Sequence, residues 1–155
     1  IIAIEAAKQA RYMGHTPRVG FVSFSNFGSL LRHRSCEIRK AVEVLDGMKV
    51  DFEYDGEMSA DVALNAELMK MYPFCRLSGP ANVLVMPALH SANISSKLLQ
   101  SLGGGTSIGP MLIGLQKPVQ IVPLGASVSE ILNMAAIAAT DSVVSKDQKN
   151  KKKAA

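Results

Sequence analysis

Val19-Gly20-Phe21-Val22-Ser23-Phe24, running directly into Ser25-Asn26-Phe27-Gly28-Ser29, is the stretch on which the fold turns. Its first half is a short apolar run of strand length. Its second half is rich in turn formers, and a helix pattern follows from about Ser35 to Leu45, with Ile38, Ala41, Val42 and Leu45 on one face. Continuously apolar strands that lead through polar turns into helices belong to parallel sheets covered on both faces.

Working outward, the same unit recurs. Residues 1–13 have helical spacing and strong helix formers, stopped by Gly14. Val50 to Asp55 reads as a second strand, closed by Asp55-Gly56-Glu57. Asp61 to Met71 reads as one helix, ended by Pro73. Ala81 to Met86 is a third strand, stopped by Pro87, and Ser91 to Leu102 a helix, stopped by Gly103-Gly104-Gly105. Two extended stretches, 107–115 and 118–122, come next. Ser127 then caps an apolar helix to about Val144. The alternation predicts an α/β fold with a mainly parallel sheet covered by helices. The last helix carries Ile131, Leu132, Met134, Ala135, Ile137 and Ala138, and needs cover on more than one side.

The chain has 155 residues, 48% hydrophobic, 19% charged and 5% aromatic, with no Trp. That composition describes a globular domain with no membrane span or signal peptide. The net charge of +4 sits in the tail from Lys146 to Lys153, leaving the rest neutral. The reading is therefore a solvated, disordered basic tail over 145–155, with no nucleic-acid partner. Cys36 and Cys75 read as two free thiols of a cytoplasmic protein. The start, Ile1-Ile2-Ala3-Ile4-Glu5, has mid-helix character and reads as part of a longer polypeptide.

Ligands of open α/β sheets bind where the carboxyl ends of strands meet loops. The first such end, Ser25, Asn26, Phe27, Gly28 and Ser29, offers hydroxyls, an amide and a Gly whose backbone can face an anion such as phosphate. A plain structural turn has the same composition. At the second end, Asp55, Glu57 and Asp61 suit a metal or acid–base pair, though carboxylates there more often cap a helix or pair with Arg or Lys. Asn82, opening the third apolar run, is expected to be buried and hydrogen-bonded, with Arg76 and Asn93 near the same strand. The Gly103–Gly105 run lacks dinucleotide spacing and follows a helix, so it reads as a cap. The eight Met residues read as core filling.

Taken together, the ordered motifs resemble the phosphotransacetylase-like domain fused to bacterial hybrid malic enzymes. They are the Ser23–Ser29 loop, Asp55-Gly56-Glu57-Met58-Ser59-Ala60-Asp61, Leu77 to Pro87, Ala92-Asn93-Ile94 with Lys97-Leu98, Gly109-Pro110, and Gly114-Leu115-Gln116-Lys117-Pro118-Val119. The resemblance covers roughly residues 1–142. It implies a phosphotransacetylase/isocitrate-dehydrogenase-like lobe within a two-lobed domain. Residues 1–144 would be its C-terminal portion, with about 1–115 in the second lobe and about 118–144 returning to the first.

By the same resemblance, catalytic phosphotransacetylases use a Ser-Arg-Gly stretch after the last strand and an Asp a few residues later. Those positions fall here on Pro123, Leu124 and Glu130. Leu124 has no guanidinium to clamp acetyl phosphate, and Pro123 no hydroxyl. The enzymes also tend to carry Lys where this chain has Phe27. The expectation is thus a regulatory, non-catalytic domain with no cofactor of its own, which binds acetyl-CoA as an effector. Contacts would come from Ser25 to Ser29, Asn82 and Asn93. The resemblance further implies a homo-oligomeric parent with a malic-enzyme domain in the same polypeptide, converting malate to pyruvate with NADP or NAD and Mg or Mn. The alternatives are an active phosphate acetyltransferase and a purely oligomerising domain.

Overall fold

The structure, a computed structural model, describes residues 1–28 and 35–153, and the side chains of those up to 143 apart from 35 and 36. Nine elements follow in chain order among the described residues. They are α1 (Ile2–Tyr12), β1 (Arg18–Val22), α2 (Ser35–Asp46), β2 (Glu53–Met58), α3 (Ala60–Leu64), α4 (Ala66–Met69), β3 (Val83–Val85), α5 (Leu89–Leu102) and α6 (Val128–Lys153). The three strands form one sheet in the order β2-β1-β3, parallel as the alternation of elements predicts.

The chain divides into two compact units, Ile1–Leu99 and Gln100–Ala155. The first is organised around β1, whose residues from Val19 to Val22 are all buried. On one face of the sheet, Val19 and Phe21 pack with Ala3 and Ala7 of α1 and Ile38, Val42 and Leu45 of α2. A second cluster gathers Met58, Val62, Ala63, Met69, Leu77 and Ala81. Gly20 alternates onto that side, where an added Cβ would lie 3.0 Å from Ala81 Cβ and 3.5 Å from Ala63 Cβ. A larger residue there would require Ala81 to give way by a few tenths of an ångström.

The single helix expected from Asp61 to Met71 is in fact two. Asn65 is extended (φ −122°, ψ 112°), and its side chain accepts from the backbone N–H groups of Glu67 and Leu68. A short amide side chain that bonds the backbone locally ends one helix and caps the next.

The second unit holds α6 and irregular chain. The extended stretches expected at 107–115 and 118–122 are not strands. Gln120 bridges them instead: its Oε1 accepts from Leu112 N–H at 3.0 Å and its Nε2 donates to Leu112 C=O at 3.3 Å. One amide side chain thereby takes the place of a ladder pair. The helix α6 begins where Ser127 predicts, but continues past Val144 through the Lys run to Lys153. Lys is a good helix former and its charge suits a helix C-terminus.

Candidate functional site

The carboxyl ends of β1 and β2 meet at an irregularity. Phe21 pairs with Gly56 and Val22 with Met58, so Glu57 has no partner across the ladder. The extra residue bulges β2 and turns the Glu57 side chain inward, where it is wholly buried. Gly56 makes the bulge possible. It sits at φ +150°, and an added Cβ would be 2.7 Å from both Cβ and the carbonyl oxygen of Phe21.

Glu57 organises the loop after β1. Its Oε1 accepts from Ser25 Oγ at 2.6 Å and from Gly28 N–H at 3.2 Å, and its carbonyl accepts from Phe27 N–H at 2.8 Å. Its Oε2 lies 3.7 Å from Arg39 Nε on α2. Asn26 Oδ1 accepts from Ser59 N–H at 2.6 Å and Ser59 Oγ at 3.0 Å. Phe27 and Gly28 are both left-handed (φ 46° and 82°), and the Phe27 ring packs on Tyr72 and Phe74, with centroids 5.1 and 5.0 Å away. Ser25 is buried. The polar groups that suggested an anion loop are therefore largely turned inward, onto Glu57 of β2 and Ser59 just after it. Ser29 lies outside the described residues.

The remaining candidates are not all brought together. Asn82 is exposed rather than buried, because it flanks β3 at the sheet edge where β1 begins. There its side chain accepts from Arg18 N–H and donates to Thr16 C=O. The five residues of β1, about 15 Å at strand spacing, separate it from the Ser25–Gly28 loop. Its role is to pin β3 to β1. Asn93 is exposed on α5, where its carbonyl accepts from Ser96 Oγ.

At the second strand end Asp55 pairs with arginine, the commoner use of such a carboxylate. Buried Asp55 accepts from Arg76 N–H and Nε, and from Gly56 N–H. The same Arg76 donates to Asp46 and lies 4.8 Å above the Tyr54 ring, while Tyr54 hydroxyl also donates to Asp46. The Tyr54 and Arg76 bonds hold the Asp46 carboxyl below its ordinary value. Asp61 is exposed, and the Ser59 hydroxyl lowers its pKa in the same way. Among the described residues no three His, Cys, Asp or Glu side chains cluster as metal ligands. Burial pushes the Cys75 thiol up.

In the second unit, Leu124 is fully exposed. Glu130 closes a capping box. Its Oε2 accepts from Ser127 N–H at 2.7 Å and Ser127 Oγ at 2.8 Å, and its own N–H donates back to Ser127 Oγ at 3.3 Å. Those bonds lower its pKa.

Comparison with known proteins places this parallel sheet and its loops in a family. The chain belongs to the phosphate acetyl/butaryl transferase family, whose sequence profile matches residues 1–139. It is 60% identical over 138 residues to an NADP-dependent malic enzyme of Rhizobium meliloti, covering 89% of this chain and 18% of that protein. It is 35% identical over 147 residues to a phosphate acetyltransferase of Staphylococcus aureus, covering 92% of this chain and 45% of that protein. A solved phosphotransacetylase from Streptococcus pyogenes superposes with a TM-score of 0.86 at 35% identity, over 92% of this chain and 44% of that one. The chain thus spans about a fifth of the malic enzymes it matches and under half of the phosphate acetyltransferases. Among the described residues no helix is long and apolar enough to cross a membrane.

Proposed function

We propose that this chain is the phosphotransacetylase-like part of a malic enzyme, and that it binds acetyl-CoA as an effector without transferring the acetyl group. One observation carries the reading. The positions where the resemblance places Ser, Arg and Asp hold Pro123, an outward-facing Leu124, and a Glu130 engaged in capping α6. Transfer from acetyl phosphate needs a cation at the developing charge. Losing one such group costs orders of magnitude in rate. A binding cleft does not need that cation. The higher identity to a malic enzyme than to phosphate acetyltransferases, 60% against 35%, supports the same assignment.

In this reading the parent oxidatively decarboxylates malate with NADP or NAD and Mg or Mn, and acetyl-CoA acts on that site from a distance. The test is a melt of the full-length protein with and without acetyl-CoA. A ligand at a hundred times its Kd stabilises by about 2.7 kcal/mol, so the melting temperature rises by some degrees. An unchanged melt at saturating acetyl-CoA contradicts the proposal.

A second role is compatible and rests on its own observation. No residue of α5 is buried, and Leu89, Ile94, Leu98, Leu99 and Leu102 are all exposed. So large an uncovered apolar surface suits self-association in a homo-oligomer. Sedimentation of the full-length protein with Leu98→Asp and Leu102→Asp tests it. A smaller assembly supports this role, and an unchanged one removes it.

A further inference from the structure

We infer that the Ser25–Gly28 loop is an oxyanion seat filled by the chain's own carboxylate, Glu57, and that a small oxyanion such as acetate or inorganic phosphate takes the seat once that carboxylate is removed. The inference goes beyond the acetyl-CoA reading and needs no acetyl-CoA to test.

Two consecutive left-handed residues, Phe27 and Gly28, curl the backbone so that successive N–H groups face one side. Phe27 N–H meets the Glu57 carbonyl and Gly28 N–H its carboxylate, joined there by Ser25 Oγ. Arg39 supplies the positive charge from α2. Its Nε is 3.7 Å from Glu57 Oε2, and its Nη1 would be 2.8 Å from a Cβ at position 28. A hydroxyl and a backbone N–H on one carboxylate oxygen, with a guanidinium near the other, are groups that an oxyanion can use.

Two features set Glu57 apart from an ordinary structural carboxylate. Its side chain is completely buried, yet among the described residues Oε2 has no hydrogen-bond partner. Neighbouring Asp55, by contrast, uses both oxygens. The strand also bulges at Glu57 itself, with Gly56 accepting a conformation closed to other residues. The backbone distortion serves to deliver one carboxylate to one place. The inward donors of the loop are then positioning groups, and a ligand meeting this loop meets its outer side.

The experiment follows hydrogen exchange of the 23–28 segment in the full-length protein. In Glu57→Ala the exchange rises about tenfold or more, because a buried hydroxyl and a half-buried N–H lose a charged acceptor. Acetate or phosphate then slows it again, while chloride at equal ionic strength does not. The wild-type segment responds to none of the three. Exchange in Glu57→Ala that no oxyanion slows overturns the inference, and so does a wild-type segment slowed by phosphate. Should Glu57→Ala not fold, Ser25→Ala decides, because it keeps the carboxylate and removes one donor. Faster exchange of the segment supports the seat, and exchange within twofold of wild type overturns it.

Discussion

Residues 1–99 enclose two apolar clusters around the sheet, although α5 at their end is exposed throughout, whereas residues 100–155 bury almost none of their apolar side chains. Every buried apolar side chain among the described residues lies in the first stretch, except Met134. In the second, Leu115, Leu124, Val128, Ile131, Leu132 and Val143 are exposed. Its order comes from local devices instead: the capping box at Ser127, the Gln120 bridge to Leu112, and helix propensity along α6. The first stretch has the core of a folding unit. The second has the composition of a core without the cover, which suits a surface completed elsewhere in a larger protein.

Substitutions sharpen this contrast in descending order of effect. Gly56→Ala forces a Cβ to 2.7 Å from Phe21 backbone at a φ that side chains avoid. A loss of roughly 4 kcal/mol is expected, from strain and overpacking together. Exchange of β1 and β2 amides in the full-length protein measures it. Leu45→Ala, inside the first cluster, is expected to cost about 3 kcal/mol. Ser127→Ala removes the cap of α6 and costs about 1 kcal/mol, confined to the exchange of that helix's first turn. Ile131→Ala, exposed on α6, stays within roughly 0.5 kcal/mol if nothing covers it. A cost at Ile131 equal to that at Leu45 would dissolve the contrast, and show that another surface buries this helix.

The smallest effect is a response to acid. Asp46 and Glu130 both have pKa values lowered below their ordinary 3.8 and 4.5. A depressed carboxyl contributes stability that is complete above its unfolded pKa and disappears as pH falls through the folded one. The start of α6 and the Tyr54–Asp46–Arg76 network are therefore expected to loosen only below about pH 4.5. Amide exchange that is flat with pH from neutral to strongly acid conditions would contradict both assignments.

Much of the first stretch was legible because strand and helix periods are written in single residues. The apolar run at Val19–Phe24 marks β1, although the strand itself is Arg18–Val22 and Phe24 lies exposed beyond it, and Pro87 and Gly14 punctuate where they should. The capping box was legible for the same reason, since Ser127 and Glu130 stand at fixed spacing. What stayed hidden depends on partners far along the chain. The inward turn of Glu57 requires knowing that β1 lies beside β2. A Gly between two acidic residues at a strand end was the available hint of a bulge. Asn82 went to the opposite sheet edge from the loop because pairing register, not sequence proximity, decides which end of a strand a residue occupies. The Asn65 break turned on one side chain choosing the backbone over solvent.

The most direct test of the central claim incubates the full-length protein with malate, its nicotinamide cofactor, a divalent metal, inorganic phosphate and acetyl-CoA, and follows cofactor reduction and acetyl-CoA together. The account predicts that acetyl-CoA changes the rate of malate oxidation while remaining intact. Steady release of CoA with formation of acetyl phosphate, or a malate rate indifferent to acetyl-CoA, would contradict it.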